Sequence, residues 1–271
     1  MLRLAMIVRA DAVEDVLDEL VPLLPAGVHE RDLDSERVEL AFYVAPDDLA
    51  ERGELEAAAG DALIEWGPEE EAPDDPRERR RRFGRAWEID GRMLVRSPDD
   101  PPGDKGLPEV VIEPIAGAFG TGAHPTTRMC LQILLDMEPG GGFADLGCGA
   151  GVLAVTAAAM GWEPVFAVDH EPRSVEATRR NGRRNGVRLE AVELDLTQVP
   201  PPPAPTIAAN VPLTIHAHIA PKLEPAVVHV IVSGIVAPEA DAARELYERA
   251  GFKQLERLGG AGWQALLMER A

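Results

Sequence analysis

Residues Asp145–Gly151 read D-L-G-C-G-A-G, and what flanks this stretch decides the fold. FADLG (143–147) leads in as a short apolar strand, and AGVLAVTAAAMG (150–161) leads out as a helix. Glycine at 147, 149 and 151 lets the backbone turn sharply and lets a ligand approach with no Cβ in the way. The helix beyond opens with unpaired N–H groups, which favour an anionic group such as phosphate or carboxylate. A second strand, EPVFAVD (163–169), ends in Asp169, 22 residues after Gly147. A carboxylate at that distance can accept two hydrogen bonds from a ribose diol.

The same alternation continues outward. EPRSVEATRRNGRRNG (171–186) reads as a helix, VRLEAVEL (187–194) as a strand, and PTIAAN (205–210) as a short buried strand. AVVHVIVSGI (226–235) is a fully apolar strand, and PEADAARELYERAG (238–251) a helix. FKQLERL and WQALLME, separated by GGAG (259–262), read as a closing hairpin. Strands alternating with helices predict an α/β, doubly wound, mostly parallel Rossmann-like sheet over 109–271, with the hairpin adding antiparallel strands at one edge.

Upstream the texture differs. Residues 1–67 read as strand, helix, strand, strand, helix, strand. DAVEDVLDELVPLL (11–24) places Val13, Val16, Leu17, Leu20 and Leu24 on one stripe, with Asp11 as its N-cap. Val38, Leu40, Phe42 and Val44 alternate with Glu39, Ala41 and Tyr43, as in a half-buried strand, and a second helix falls within Pro46–Ala59. This order suits a small α+β domain of ferredoxin-like, split βαβ type. EEEAPDDP (69–76) and SPDDPPGDKGLP (97–108) read as breaks, so 68–108 is expected to be a linker, with Arg79–Arg82 on a solvated helix whose charge is offset by acidic neighbours.

Composition narrows the partners. The 271 residues carry 27 Lys and Arg against 47 Asp and Glu, a formal charge of −20. A surface that acidic disfavours direct binding to a nucleic-acid backbone and suits a basic partner. Cys130 and Cys148 are too few for a disulfide framework or a four-thiolate zinc site. The start meets acid at Asp11, too early for a signal peptide, and the uncharged stretch from 146 to 162 is broken by glycines and too short for a membrane span. A cytoplasmic protein is expected. His216 and His218 stand two apart, a poor metal pair on a helix, and no metal is assigned.

A glycine loop with a downstream acid fits two cofactor classes. The dinucleotide fingerprint G-x-G-x-x-G needs a third glycine at 152, which is Val152. The pattern present is acid-x-G-x-G-x-G, which resembles motif one of the S-adenosylmethionine-dependent methyltransferases. Asn210 ends the strand IAAN and begins IAANVP (207–212), where methyltransferases of amino groups often carry Asn-Pro-Pro or a relative. A further glycine-rich loop, GAFGTGAHPTT (117–127), precedes the helix 128–137, with Thr126 or Thr127 expected to cap it. GAFGTGAHPTT, DLGCGAG, VFAVD and AAN together resemble the bacterial ribosomal protein L11 methyltransferases, the PrmA type. The resemblance covers 109–271 well and the leading module loosely. Ala123 stands where that family usually has Thr, and Val211-Pro212-Leu213 replaces its usual Ile-Leu after the Asn.

The resemblance implies a seven-stranded methyltransferase sheet, S-adenosylmethionine as cofactor, and a basic, ribosomal protein as substrate, methylated on amino groups. It implies cofactor contacts at Thr127, Gly147, Gly149, Asp169 and Asn210; Asn210 is also the candidate catalytic residue, expected to accept hydrogen bonds from the substrate amine and aim its lone pair. The leading module would choose the substrate. Three other readings stand beside it: a small-molecule methyltransferase of the same fold, a nicotinamide-dependent oxidoreductase, and a non-catalytic binding module.

Overall fold

The computed structural model describes residues 1–271 except 21–22, 25–27, 35, 45–51, 76–77, 80–81, 83–85, 104, 114–123 and 261. The chain divides into two units, Met1–Phe83 and Gly84–Ala271.

In the first unit β1 (Leu2–Arg9), α1 (Val13–Leu20), β2 (Val28–Asp32), β3 (Arg37–Val44), α2 (Arg52–Ala59) and β4 (Leu63–Trp66) follow in turn. The strands lie in the order β2-β3-β1-β4, every neighbouring pair antiparallel. The period-two pattern sends Leu4, Met6, Val8, Val38, Leu40 and Phe42 to one face, where they meet Val13, Val16, Leu20 and Leu55 of the helices. Residues 46–51 of the expected second helix lie outside the described residues. Asp11 does not cap α1: a 3₁₀ turn, Ala10–Ala12, precedes the helix, and the Asp11 carboxylate pairs with Arg9 instead, at 3.0 Å.

The other face of this sheet is covered too. Glu39 is buried and holds the equally buried Arg3 guanidinium at 2.8 Å. Arg3 also reaches Glu70, at 3.2 Å, in the two-residue strand β5 (Glu70–Glu71), which pairs with β1 beyond the end of β4. The Arg79 guanidinium lies 5.1 Å from the Tyr43 ring centre and donates to the Pro73 and Asp74 carbonyls. The run Arg79–Arg82 therefore begins with a packed arginine, where a solvated one was expected; Arg80 and Arg81 lie outside the described residues.

The second unit opens with strands where a linker was expected. β6 (Trp87–Ile89) and β7 (Met93–Arg96) form a hairpin through the three-residue loop Asp90-Gly91-Arg92, in which the Arg92 N–H donates to the Ile89 carbonyl at 2.9 Å and Asp90 and Gly91 take positive φ, as Asp-Gly does in tight hairpin turns. β8 (Glu109–Val111) joins β7 in parallel. Burial of Ile89, Met93, Val95 and Val110 in the core of this unit outweighs the surrounding prolines and charges.

The main sheet uses β9 (Phe143–Leu146), β10 (Val165–Asp169), β11 (Glu190–Glu193), β12 (Thr206–Asn210), β13 (His229–Val236), β14 (Phe252–Gly260) and β15 (Trp263–Arg270) in the order β11-β10-β9-β12-β13-β15-β14. The first five positions are parallel, and the β14–β15 hairpin adds antiparallel strands at one edge. α3 (Pro125–Asp136), α4 (Val152–Met160) and α5 (Pro172–Arg184) contribute to the apolar cluster on one face, α6 (Leu213–Ile219) and α7 (Ala240–Arg249) to that on the other. From β9 the chain winds outward through β10 to β11, then returns to β12 on the opposite side. The carboxyl ends of β9 and β12 therefore flank the point where winding reverses, the place where open α/β sheets form a crevice.

Close backbone packing marks this point. Gly234, at a bulge in β13, has φ +79°, and a Cβ there would lie 2.6 Å from both the nitrogen and the carbonyl oxygen of Val211. Gly161, φ +103°, has open space around it. Gly234→Ala is expected to lower unfolding free energy by roughly 2–5 kcal/mol, the sum of positive-φ strain and overpacking, and Gly161→Ala by roughly 1–2 kcal/mol, from strain alone. Denaturant unfolding checks this; equal losses would show that the Val211 turn yields.

Candidate functional site

The turn after β9 is built by its glycines. Gly147, Gly149 and Gly151 have φ of +75°, +53° and +85°, a region that side-chain-bearing residues rarely occupy. A Cβ on Gly147 would lie 2.4 Å from Val211 Cγ1, and one on Gly151 would lie 2.7 Å from the Thr178 side chain. The turn is closed by the Gly151 N–H donating to the Cys148 carbonyl at 2.7 Å. Thr178 of α5 donates to the Gly149 carbonyl at 3.0 Å. Cys148 tucks its side chain into the core, where burial pushes its thiol well above the usual range, which leaves it a packing residue.

Asp169 ends β10 beside this turn. Its Oδ2 accepts the Gly149 N–H and its Oδ1 the Glu171 N–H, each at 2.9 Å. The side chain is only 11% exposed; His170 Nδ1 stands 3.4 Å from Oδ1, and Oδ2 keeps a lone pair for a further donor. Asp145, at the end of β9, is fully enclosed. Burial pushes its carboxyl up to about 7; the Ala154 N–H on Oδ2 at 3.0 Å pulls the other way, and the nearby Asp169 charge adds to the rise.

Asn210 ends β12, at the other side of the crevice. Its Nδ2 donates to Thr127 Oγ1 at 3.3 Å, so the strand end and the first turn of α3 meet through two side chains that the sequence assigned to one site. The α3 cap differs from the expected threonine. His124 Nδ1 accepts the Thr126 N–H at 3.3 Å and lies 2.7 Å from Thr126 Oγ1, with Pro125 in the first helical turn. The His124 ring packs edge-on against Trp263, 5.0 Å between centres, and burial lowers its pKa. Residues 117–123 of the glycine-rich loop, with Phe119 and Ala123, lie outside the described residues.

Behind Asn210 is a group that the sequence offers only as half of a poor metal pair. His216 of α6 is completely buried, with Nδ1 2.8 Å from the Tyr247 hydroxyl and Nε2 2.9 Å from the Ser233 carbonyl. The same carbonyl accepts the Val211 N–H at 3.0 Å. His216 thus braces the turn that follows Asn210, and burial drops its pKa to about 4, which keeps the ring neutral. The sequence carries no signal of this, because the partner that explains it is a tyrosine 31 residues away.

Gly147, Gly149, Asp169, Asn210 and Thr127 therefore lie together at the carboxyl ends of the central strands and the start of α3, bringing a carboxylate, a carboxamide and a hydroxyl beside a turn whose Gly147 and Gly149 N–H groups are given to the Val168 carbonyl and to Asp169. Among the described residues no cluster of His, Cys, Asp and Glu has the makings of a metal site, and no helix is long and apolar enough to cross a membrane.

Comparison with known proteins places this architecture. A solved ribosomal protein L11 methylase from Lactobacillus delbrueckii subsp. bulgaricus superposes with a TM-score of 0.61 at 22% identity, covering 68% of this chain and 98% of that one, a likeness of fold. The ribosomal protein L11 methyltransferase of Thermus thermophilus is 37% identical over 166 residues, 59% of this chain and 65% of the relative. That of Pectobacterium carotovorum is 41% identical over 137 residues, 48% of this chain and 46% of the relative. The chain thus spans between about half and two thirds of the length of these curated relatives. The family model for ribosomal protein L11 methyltransferase (PrmA) matches residues 95–271, the α/β unit almost entire, and the chain belongs to that family.

Proposed function

We propose that this chain is an S-adenosylmethionine-dependent protein N-methyltransferase that modifies amino groups, lysine side chains or an amino terminus, of ribosomal protein L11. The observation that carries this reading is the convergence of the glycine turn, Asp169 and the Asn210–Thr127 pair on the crevice where the sheet reverses. The donors and acceptors there suit an amino-acid tail and a sugar diol. Val152 stands where a dinucleotide fingerprint has its third glycine, which disfavours the nicotinamide reading. The leading unit, whose antiparallel order β2-β3-β1-β4 we read as ferredoxin-like, is assigned to substrate choice.

When bound, S-adenosylmethionine supplies a methyl group on a sulfonium, open to in-line displacement. Asp169 would accept the ribose hydroxyls, Gly147 and Gly149 would let the methionine moiety approach the backbone, and Thr127 would close the other side. With Nδ2 of Asn210 committed to Thr127, its Oδ1 is the half of the amide left to accept an N–H from the substrate amine and aim the lone pair. That amine must be neutral to attack. A lysine begins near pKa 10.4 and loses its proton through desolvation in the closed site. The net charge of −20 suits a basic substrate.

Incubation of the chain with S-adenosylmethionine and unmethylated L11 is expected to add mass in steps of one methyl group to lysine or amino-terminal peptides, read by mass spectrometry. Modification of side chains without an amino group would overturn the amine assignment. Asp169→Ala is expected to weaken cofactor binding by roughly 10–100-fold in calorimetry, the loss of hydrogen bonds to a charged acceptor. Unchanged affinity would place the ribose elsewhere. Asn210→Ala should lower kcat by about 10²-fold while raising the cofactor Kd much less, since its proposed contact strengthens as the amine becomes cationic in the transition state; equal turnover would remove Asn210 from the reaction.

A further inference from the structure

Beyond these contacts, the structure ties the glycine turn to a part of the fold that touches no ligand. The small sheet ends at β8, whose outer edge needs partners for its backbone groups. Asn181 of α5 and Asn185, the residue that caps its carboxyl end, supply them. Asn185 Oδ1 accepts the Val111 N–H and its Nδ2 donates to the Val111 carbonyl, both at 2.8 Å. One turn earlier, Asn181 Oδ1 accepts the Glu113 N–H at 2.9 Å and its Nδ2 donates to the Glu113 carbonyl at 3.2 Å. The spacing explains the fit. Residues i and i+4 of a helix are about 6 Å apart along the axis, and residues i and i+2 of a strand about 6.6 Å. Two carboxamides so placed imitate an antiparallel strand.

The two clamps differ in what else they hold. Asn185 uses its remaining donor on its own helix, at the Asn181 carbonyl, 2.8 Å away. Asn181, fully buried, gives its second Nδ2 hydrogen to the Ala150 carbonyl at 2.8 Å, inside the glycine turn. Thr178, three residues before it, holds the Gly149 carbonyl. One face of α5 therefore grips two successive carbonyls of the turn, and Asn181 joins that turn to Glu113, two residues past the end of β8.

We propose that Asn181 is a positioning residue: it fixes the Ala150 carbonyl, and with it the Gly149–Gly151 backbone, to the small sheet, so that a side chain outside the crevice sets the shape of the cofactor loop. The consequence for the methyl donor rests on the function proposed above; the coupling itself does not.

The comparison of Asn181→Ala with Asn185→Ala in the full chain separates positioning from plain stability. Both variants lose strand-edge hydrogen bonds and unfold earlier. Only Asn181→Ala is expected to speed amide exchange at Gly149 and Gly151, by roughly tenfold, the loss of one buried hydrogen bond. It should also weaken S-adenosylhomocysteine binding by about the same factor and raise the KM for the methyl donor with kcat little changed. Equal exchange at these glycines in the two variants would overturn the proposal. Should Asn181→Ala fail to fold, the wild-type chain decides: S-adenosylhomocysteine is expected to slow exchange of the Glu113 amide, held by Asn181, more than that of Val111, held by Asn185, and equal slowing would overturn it. A wild-type chain that binds no S-adenosylhomocysteine sinks the proposed function, while the exchange comparison still tests the coupling.

Discussion

The Asp169 carboxylate accepts the Gly149 N–H and the Glu171 N–H, each at 2.9 Å, and the rest of the α/β unit is arranged around that pair of hydrogen bonds. It requires β9 and β10 to be parallel neighbours, so that turn and acid emerge at one end of the sheet. It requires positive φ at Gly149 to turn that N–H toward the acid. It also places the carboxylate just ahead of α5, on the N–H of its N-cap residue Glu171, where the helix dipole favours negative charge. Sheet order, turn conformation and helix start each lose their purpose at this position without the other two.

Two buried titratable groups flank this centre and act on stability in opposite senses. Asp145 is raised from 3.8 to about 7, so the folded state holds its proton more tightly than the unfolded chain; the stability it contributes is present in acid and is lost as pH rises through about 7. His216 is lowered from 6.5 to about 4, so its contribution is present above 6.5 and is lost as pH falls toward 4. Between about 4 and 6.5 the two slopes oppose each other. A buried carboxyl so strongly shifted is a cost that packing alone does not demand, and it lies beside the turn that the proposed cofactor needs.

Much of this site was legible because it is written as missing side chains. Glycines at 147, 149 and 151 after an apolar strand, and an acid 22 residues after the first, are local signals with a fixed spacing. The alternating strands and helices and the closing hairpin were legible for the same reason. What was not legible depends on partners distant in sequence. His216 reads only as half of a poor metal pair until Tyr247 and Ser233 are folded against it. Glu39 reads as a solvated position until Arg3, 36 residues away, lies across from it. The Asp90-Gly91 turn was a readable hairpin signal, obscured by the prolines and charges on either side.

Asn181 inside α5 and Asn185 at its carboxyl cap show why such residues escape pattern reading. In a helix interior, asparagine is a poor former, yet 171–186 reads as one helix and Asn181 sits inside it. The end is where the final Gly puts it: α5 stops at Arg184 and Gly186 takes φ +67°. Inside the helix the Asn181 carboxamide satisfies backbone groups of two other segments, and the gain from those bonds exceeds the small propensity loss. A residue kept against its local preference is one whose partners lie elsewhere. In this chain those partners are a strand edge and a carbonyl of the glycine turn, which makes the helix a bracket between scaffold and site as well as a cover for the sheet.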